Sequence, residues 1–214
     1  GRASLARWAK ERIFVGQVAV SDYNAEELRG WGYDAVATVP VLVDLDRLRA
    51  HAWNQRIGTD AEGVRTLLFV GRLCEHKAQT DLVRMMRHLV SIAAVPTRLL
   101  LVGGVTSDAY LAELEQEIDR YGMGGHVELV GKLDDDDVYG LYRRADLYVS
   151  MSQHEGFGMP LVEAMALDLP VLARSAGSIA ATLGEGGLVL KAGDTKAMAA
   201  AARLLLEEPA LLLD

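Results

Sequence analysis

From residue 66 onward, short and nearly unbroken apolar runs alternate with stretches of helical periodicity, and few folds satisfy that pattern. The runs at 66–70 (TLLFV), 98–102 (RLLLV), 146–150 (DLYVS), 171–173 (VLA) and 188–190 (LVL) are too continuous for strands with one wet face. Strands read this way when helices cover both faces of a parallel sheet. A sixth run, 127–130 (VELV), is more polar. Between the runs, Leu82, Met85, Met86 and Leu89 follow helical spacing, as do Leu111, Leu114, Ile118 and Tyr121, and then Val138, Leu141, Tyr142 and Ala145. A last helix from about residue 195 carries Met198, Ala202, Leu205 and Leu206 on one face. Six strands with crossover helices imply an α/β fold, a doubly wound Rossmann-like parallel sheet.

The first fifty residues read differently. A strand is expected over 13–20, a short helix over 21–29 with Ser21 as N-cap, and a second strand over 35–39, closed by Pro40. Residues 41–46 read as a linker. One strand–helix–strand piece is too small to bury a core of its own and needs a larger body to pack on.

Composition removes several classes of function. The net charge of -8 argues against a nucleic-acid surface, which normally carries a basic excess. No apolar run is long enough to span a bilayer, and no segment reads as a signal peptide. The single cysteine, Cys74, excludes an intrachain disulfide and fits a reducing, cytoplasmic setting. The five histidines are scattered, and no His/Cys cluster has metal-ligand spacing. The chain begins at Gly1 and not at methionine, which suggests a piece of something longer.

The stretch HEGFGMPLVEAM, 154–165, carries the most specific chemistry. Glu155 follows an apolar run, and Gly156, Phe157 and Gly158 lead to Pro160, expected as the first helical residue. Strand, glycine-bearing loop and helix together present unpaired N–H groups and a helix dipole, a ready anion site. Glu163 is expected in the opening turn of that helix. It could simply oppose the dipole there. Its neighbours are nearly all apolar, however, and a carboxylate on a buried helix needs a partner. A vicinal diol can donate two hydrogen bonds to one carboxylate, so an anion that also carries hydroxyls fits, as a sugar nucleotide does. The acidic run 134–137 reads as a helix start, with Asp134 as N-cap and Asp137 near the third position.

A second motif follows the first strand of the large unit: Gly71, Arg72, Leu73, Cys74, Glu75, His76, Lys77, leading directly into a helix. Gly71 allows a tight turn and close backbone approach. Arg72 and Lys77 bring cations to a helix N-terminus, where they work against the dipole. Solvated surface cations are one reading. A bound diphosphate is the other, gripped by the Arg72 fork and the Lys77 point charge.

With these motifs in view, the chain resembles the retaining glycosyltransferases of group 1 (family 4), which have the two-domain GT-B architecture. The resemblance rests on Ser21 and the helix after it, Val39-Pro40 through Val43-Asp44, Val70-Gly71-Arg72 with Lys77, and Glu155-Gly-Phe-Gly with Glu163-Ala-Met. Gly103, Gly104 and Gly131 also match glycine positions of the family. Two departures stand out: Ala78 where the family often has glycine after the lysine, and Val41-Leu42 where Asn-Gly is common.

The resemblance implies a donor site without metal or cofactor, for a nucleoside-diphosphate sugar such as a UDP- or GDP-hexose. It implies that Arg72 and Lys77 contact the donor diphosphate and Glu163 the ribose hydroxyls. Glu155 and the backbone of Gly156, Phe157 and Gly158 face the sugar and distal phosphate, and the backbone near Gly131, Lys132 and Leu133 flanks the base. The catalytic set is then Arg72, Lys77 and Glu155, beside Gly71 in the binding loop. Residues 1–45 are expected to be the tail and linker of an N-terminal acceptor-binding domain, and 46–214 the nucleotide-sugar-binding domain. The acceptor, a glycan or lipid-linked glycan, would be bound by the absent domain, and the fragment alone would scarcely turn over. Membrane contact is expected only of the full-length enzyme, at the inner face. A sugar-nucleotide epimerase, a phosphorylase-type enzyme and a catalytically silent nucleotide-sugar-binding module remain alternatives. A glycosidase fits less well, since paired carboxylates across a scissile bond need no phosphate grip.

Overall fold

The computed structural model describes residues 16–50, 63–191 and 193–208. The first part of the strand expected over 13–20, and everything after residue 208, lie outside the described residues. The described part of that strand is β1 (Gln17–Ala19), followed by α1 (Asp22–Gly30) and β2 (Val36–Thr38). The two strands pair in parallel, Val18 opposite Ala37. Ser21 is the N-cap of α1, its side chain accepting from the Asn24 N–H. The 41–46 linker is shorter than expected, because α2 (Leu45–Ala50) starts inside it. Leu48 is buried, and the Arg49 Nε donates to the Ala166 carbonyl at 3.3 Å, docking α2 on the end of a later helix.

The main body is a six-stranded, all-parallel sheet of β3 (Arg65–Val70), β4 (Thr97–Val102), β5 (Val127–Gly131), β6 (Leu147–Ser150), β7 (Val171–Arg174) and β8 (Leu188–Leu190). The helices are α3 (Gln79–Ile92), α4 (Asp108–Arg120), α5 (Asp135–Arg144), α6 (Met159–Ala166), α7 (Ile179–Leu183) and α8 (Thr195–Glu207). Side-chain alternation along the inner strands separates two cores. Leu67, Phe69, Leu99, Leu101, Leu147 and Val149 face α3, α4 and α8. Leu68, Leu100, Val102, Tyr148, Val171 and Ala173 face α5, α6 and α7. Both faces are therefore dry, which is why the runs are continuous in the sequence. The more polar VELV run is β5, at the sheet edge, where Glu128 is exposed.

The strand order β5-β4-β3-β6-β7-β8 places the site. The chain winds outward from β3 through β4 and β5, then returns to β6 on the other side of β3. The crevice between β3 and β6, at their carboxyl ends, is the topological switch point where doubly wound sheets bind ligands. The two motifs read from the sequence are the loops that follow these two strands.

Candidate functional site: two loops at the switch point

The cation loop leaves β3 at Gly71, whose N–H donates to the Val102 carbonyl at 2.8 Å, while the Leu73 N–H donates to the Gly104 carbonyl at 2.9 Å. A Cβ on Gly103 would lie 1.9 Å from the Gly71 carbonyl oxygen, so backbone packs directly on backbone here. Lys77 is not followed directly by the helix. Residues Glu75–Lys77 form a 3-10 turn, and Ala78 takes a left-handed conformation (φ 51°, ψ 44°) before α3 begins at Gln79. The loop therefore requires positive φ where the chain carries alanine. Gln79, fully buried, donates to the Arg72 carbonyl at 2.9 Å and accepts from the Tyr110 hydroxyl at 2.9 Å. The Arg72 side chain is exposed, and no described residue pairs with it.

The glutamate loop leaves β6 and is joined to the cation loop by two bonds. The Gln153 N–H donates to the His76 carbonyl at 2.7 Å, and Lys77 Nζ forms an ion pair with Glu155 Oε1, both side chains only 13% exposed. Two of the residues expected to act together thus touch. His76 sits in the same field. Its imidazole is held below its usual range by burial first, then by Lys77, with Arg72 and His154 adding and Glu155 opposing.

The helix after this loop begins earlier than expected. Gly158, left-handed at φ 85°, is the N-cap, so Met159 is the first helical residue and Pro160 the second. Glu163 is then fifth and falls outside the first turn, which holds no acidic residue. The dipole reading loses its basis, because that effect fades within one turn. Instead the Tyr142 hydroxyl, fully buried, donates to Glu163 Oε2 at 3.0 Å. Burial raises the Glu163 carboxyl above the ordinary range, the Tyr142 hydrogen bond acts against this, and Asp135 adds to the rise. Beneath the loops lies an aromatic row, Phe69, Tyr148 and Tyr142, with ring centroids 6.5 and 5.9 Å apart. Burial, then Glu155, pushes the Tyr148 hydroxyl up, which donates to the Val70 carbonyl at 3.2 Å.

Sequence reasoning missed what lies behind the glutamate loop. Gly177 (φ 57°) brings the backbone after β7 so close that a Cβ there would meet the Glu155 carbonyl oxygen at 2.2 Å. Ser178 donates to that same oxygen twice, from its N–H at 2.9 Å and its hydroxyl at 3.2 Å. The Ser21 hydroxyl donates to the Gly156 carbonyl at 2.6 Å, and the Thr182 hydroxyl to the Phe157 carbonyl at 2.7 Å. A glycine-serine pair just after an apolar strand was the available signal.

Gly131, Lys132 and Leu133 lie at the carboxyl end of β5, two strands from β3. Gly131 (φ 81°) is tied to the cation-loop side through its carbonyl, which accepts from the Gly103 N–H at 2.8 Å. Among the described residues, no hydrogen bond or ion pair joins these three to Arg72, Lys77, Glu155 or Glu163. Asp134 caps α5 as expected, accepting from the Asp137 N–H at 3.0 Å. No group of three or more His, Cys, Asp or Glu side chains among the described residues converges as a metal site, and no helix among them is long and apolar enough to cross a membrane.

Cations, carboxylates and, among the described residues, unpaired backbone amides thus gather where a doubly wound sheet offers a ligand crevice. The family model for glycosyl transferases group 1 matches residues 53–214, and the chain belongs to that family. A D-inositol 3-phosphate glycosyltransferase 2 from Catenulispora acidiphila is 34% identical over 212 residues, covering 92% of this chain and 49% of that protein. The chain spans about half the length of the curated relatives it matches. Among solved structures, Anabaena Alr3699/HepE in complex with UDP and glucose matches with a TM-score of 0.82 at 22% identity, over 98% of this chain and 59% of that one. A sucrose-phosphate synthase from Thermosynechococcus elongatus matches with a TM-score of 0.76 at 29% identity, over 90% of this chain and 49% of that one. The architecture is that of the carboxyl-terminal half of a GT-B glycosyltransferase.

Proposed function

We propose that residues 46–214 are the donor-binding half of a retaining glycosyltransferase and that residues 1–45 belong to its acceptor-binding half and linker. The donor is a nucleoside-diphosphate hexose, and the acceptor is a hydroxyl of a glycan or lipid-linked glycan. The observation that carries this reading is the meeting, at one switch point, of Arg72 and the Lys77–Glu155 pair with Glu163 a single helix away. Arg72 is a free fork for phosphate oxygens, and Lys77, steadied by Glu155, adds a point charge. Together they stabilise charge growing on the departing diphosphate, with no metal required for neutralisation. Glu155 orients the sugar ring, a contribution through positioning. Glu163 keeps Oε1 for the ribose diol while Tyr142 occupies Oε2. The backbone of Gly131, Lys132 and Leu133 borders the base. UDP bound to the HepE structure supports a nucleoside diphosphate as ligand.

Melting the protein with UDP, GDP and the matching nucleosides in chelator tests the reading. A true ligand at about a hundred times its Kd stabilises by roughly 2.7 kcal/mol. At least one diphosphate is expected to raise Tm well above its nucleoside. Equal effects, or none, would overturn the assignment.

A further inference from the structure

The carbonyls of Glu155, Gly156 and Phe157 are consecutive, and each accepts a hydrogen bond from a residue far away in sequence. Ser178 holds the first, Ser21 the second and Thr182 the third, at 2.6–3.2 Å. In a planar trans peptide, the C=O of one residue points opposite to the N–H of the next. Fixing these three carbonyls therefore fixes the N–H directions of Gly156, Phe157 and Gly158. Ser178 follows β7, and the N–H opposite the carbonyl it holds therefore points away from Ser178. Among the described residues, nothing accepts from any of these three N–H groups.

We propose that Ser21, Ser178 and Thr182 are positioning residues that clamp these carbonyls and so hold a row of three amides open for an anion. This rests on the diphosphate reading of the site. It adds that the donor loop is not self-supporting: two clamps come from the N-cap and the fourth residue of α7, and one from the cap of α1. Ser21 has a double duty, because the same hydroxyl accepts from the Asn24 N–H at 3.2 Å. The strand–helix–strand unit before α2 is thereby coupled to the donor loop, so a shift of α1 reaches the Gly156 carbonyl. Without the clamps each peptide is free to flip and present a carbonyl, which repels phosphate, in place of an N–H.

Thr182→Val removes one donor at nearly constant volume, and Thr182→Ser restores it. Calorimetry uses whichever of UDP and GDP the wild type binds, inorganic pyrophosphate, and the matching nucleoside. Thr182→Val is expected to weaken diphosphate and pyrophosphate binding by roughly three- to tenfold, the range for one lost hydrogen bond. Nucleoside binding is expected to stay unchanged, and Thr182→Ser to recover the loss. Ser178→Ala, which keeps its backbone N–H donor, is expected to show a smaller loss and serves if Thr182→Val does not fold. Wild-type protein that binds no diphosphate defeats the site assignment itself. Wild-type binding with Thr182→Val and Ser178→Ala unaffected, or with diphosphate and nucleoside weakened alike, overturns the clamp.

Discussion

The cation loop and the glutamate loop face each other across one crevice, yet they offer it different groups. In the cation loop the amides of Gly71, Leu73, Lys77 and Ala78 alone, among the eight from Gly71 to Ala78, donate to carbonyls of the protein. What it offers is side chain: Arg72 exposed, and Lys77 reaching across to Glu155. In the glutamate loop the carbonyls are consumed, and the amides of Gly156, Phe157 and Gly158 are open. A phosphate needs both charge and oriented dipoles. One parallel sheet supplies them separately because its switch point brings two differently built loops together.

Each loop also rests on a glycine of the next strand over, Gly103 under Gly71 and Gly177 under Glu155. The largest effects are expected here. Gly103→Ala and Gly177→Ala place a Cβ 1.9 and 2.2 Å from backbone oxygen, each at positive φ. Each is expected to cost roughly 3 kcal/mol or more in a urea denaturation series. A cost below about 1 kcal/mol for either would mean that its loop is loosely seated.

Glu163→Gln probes the carboxylate behind the glutamate loop, and its effects on stability and affinity have opposite signs. Burial raises the folded carboxyl above its unfolded value, so the acid form is the favoured one in the folded protein. The stability this group contributes is fully present below the unfolded pKa and is lost as pH rises through the folded pKa. Glutamine mimics the neutral form, so the variant is expected to melt higher than wild type at pH 7. That gain should vanish in acid, below the ordinary carboxylate range. Nucleotide affinity is expected to fall about tenfold or more with the loss of charge-assisted bonds to the ribose. Higher stability without weaker binding would remove Glu163 from the site.

The smallest effect concerns the strained residue of the cation loop. Ala78 holds φ 51° while almost wholly buried. The left-handed conformation costs alanine about 1–2 kcal/mol, and its buried methyl returns about 0.8 kcal/mol. Ala78→Gly is therefore expected to stabilise by up to about 1 kcal/mol, read as a shift of the denaturant midpoint. A loss of stability would show that the methyl contact outweighs the strain.

Much of this was written in local sequence. All six strands of the large sheet fall within a residue of the apolar runs, because a sheet covered on both faces leaves its mark on every position. The caps at Ser21 and Asp134 were equally legible, since a cap is a contact three residues long. Other features were not. Helix α7 has five residues, too few for a period, and α2 begins inside a segment that reads as a linker. The place of Glu163 in its helix depended on one residue of register, set by the left-handed Gly158. The loop's supports are long-range: Ser21 and Gly156 stand 135 residues apart, and no local pattern joins them.

The most direct measurement is calorimetry of UDP and GDP against wild type and Arg72→Ala, in chelator. Arg72 is exposed and pairs with no described residue, so its removal should leave stability within about 0.5 kcal/mol. Diphosphate binding by the wild type without metal, weakened about tenfold or more in Arg72→Ala at unchanged Tm, is the expected result. Binding that requires magnesium or manganese, or that ignores the loss of Arg72, would contradict a site built from side-chain cations on one strand and backbone amides on the next.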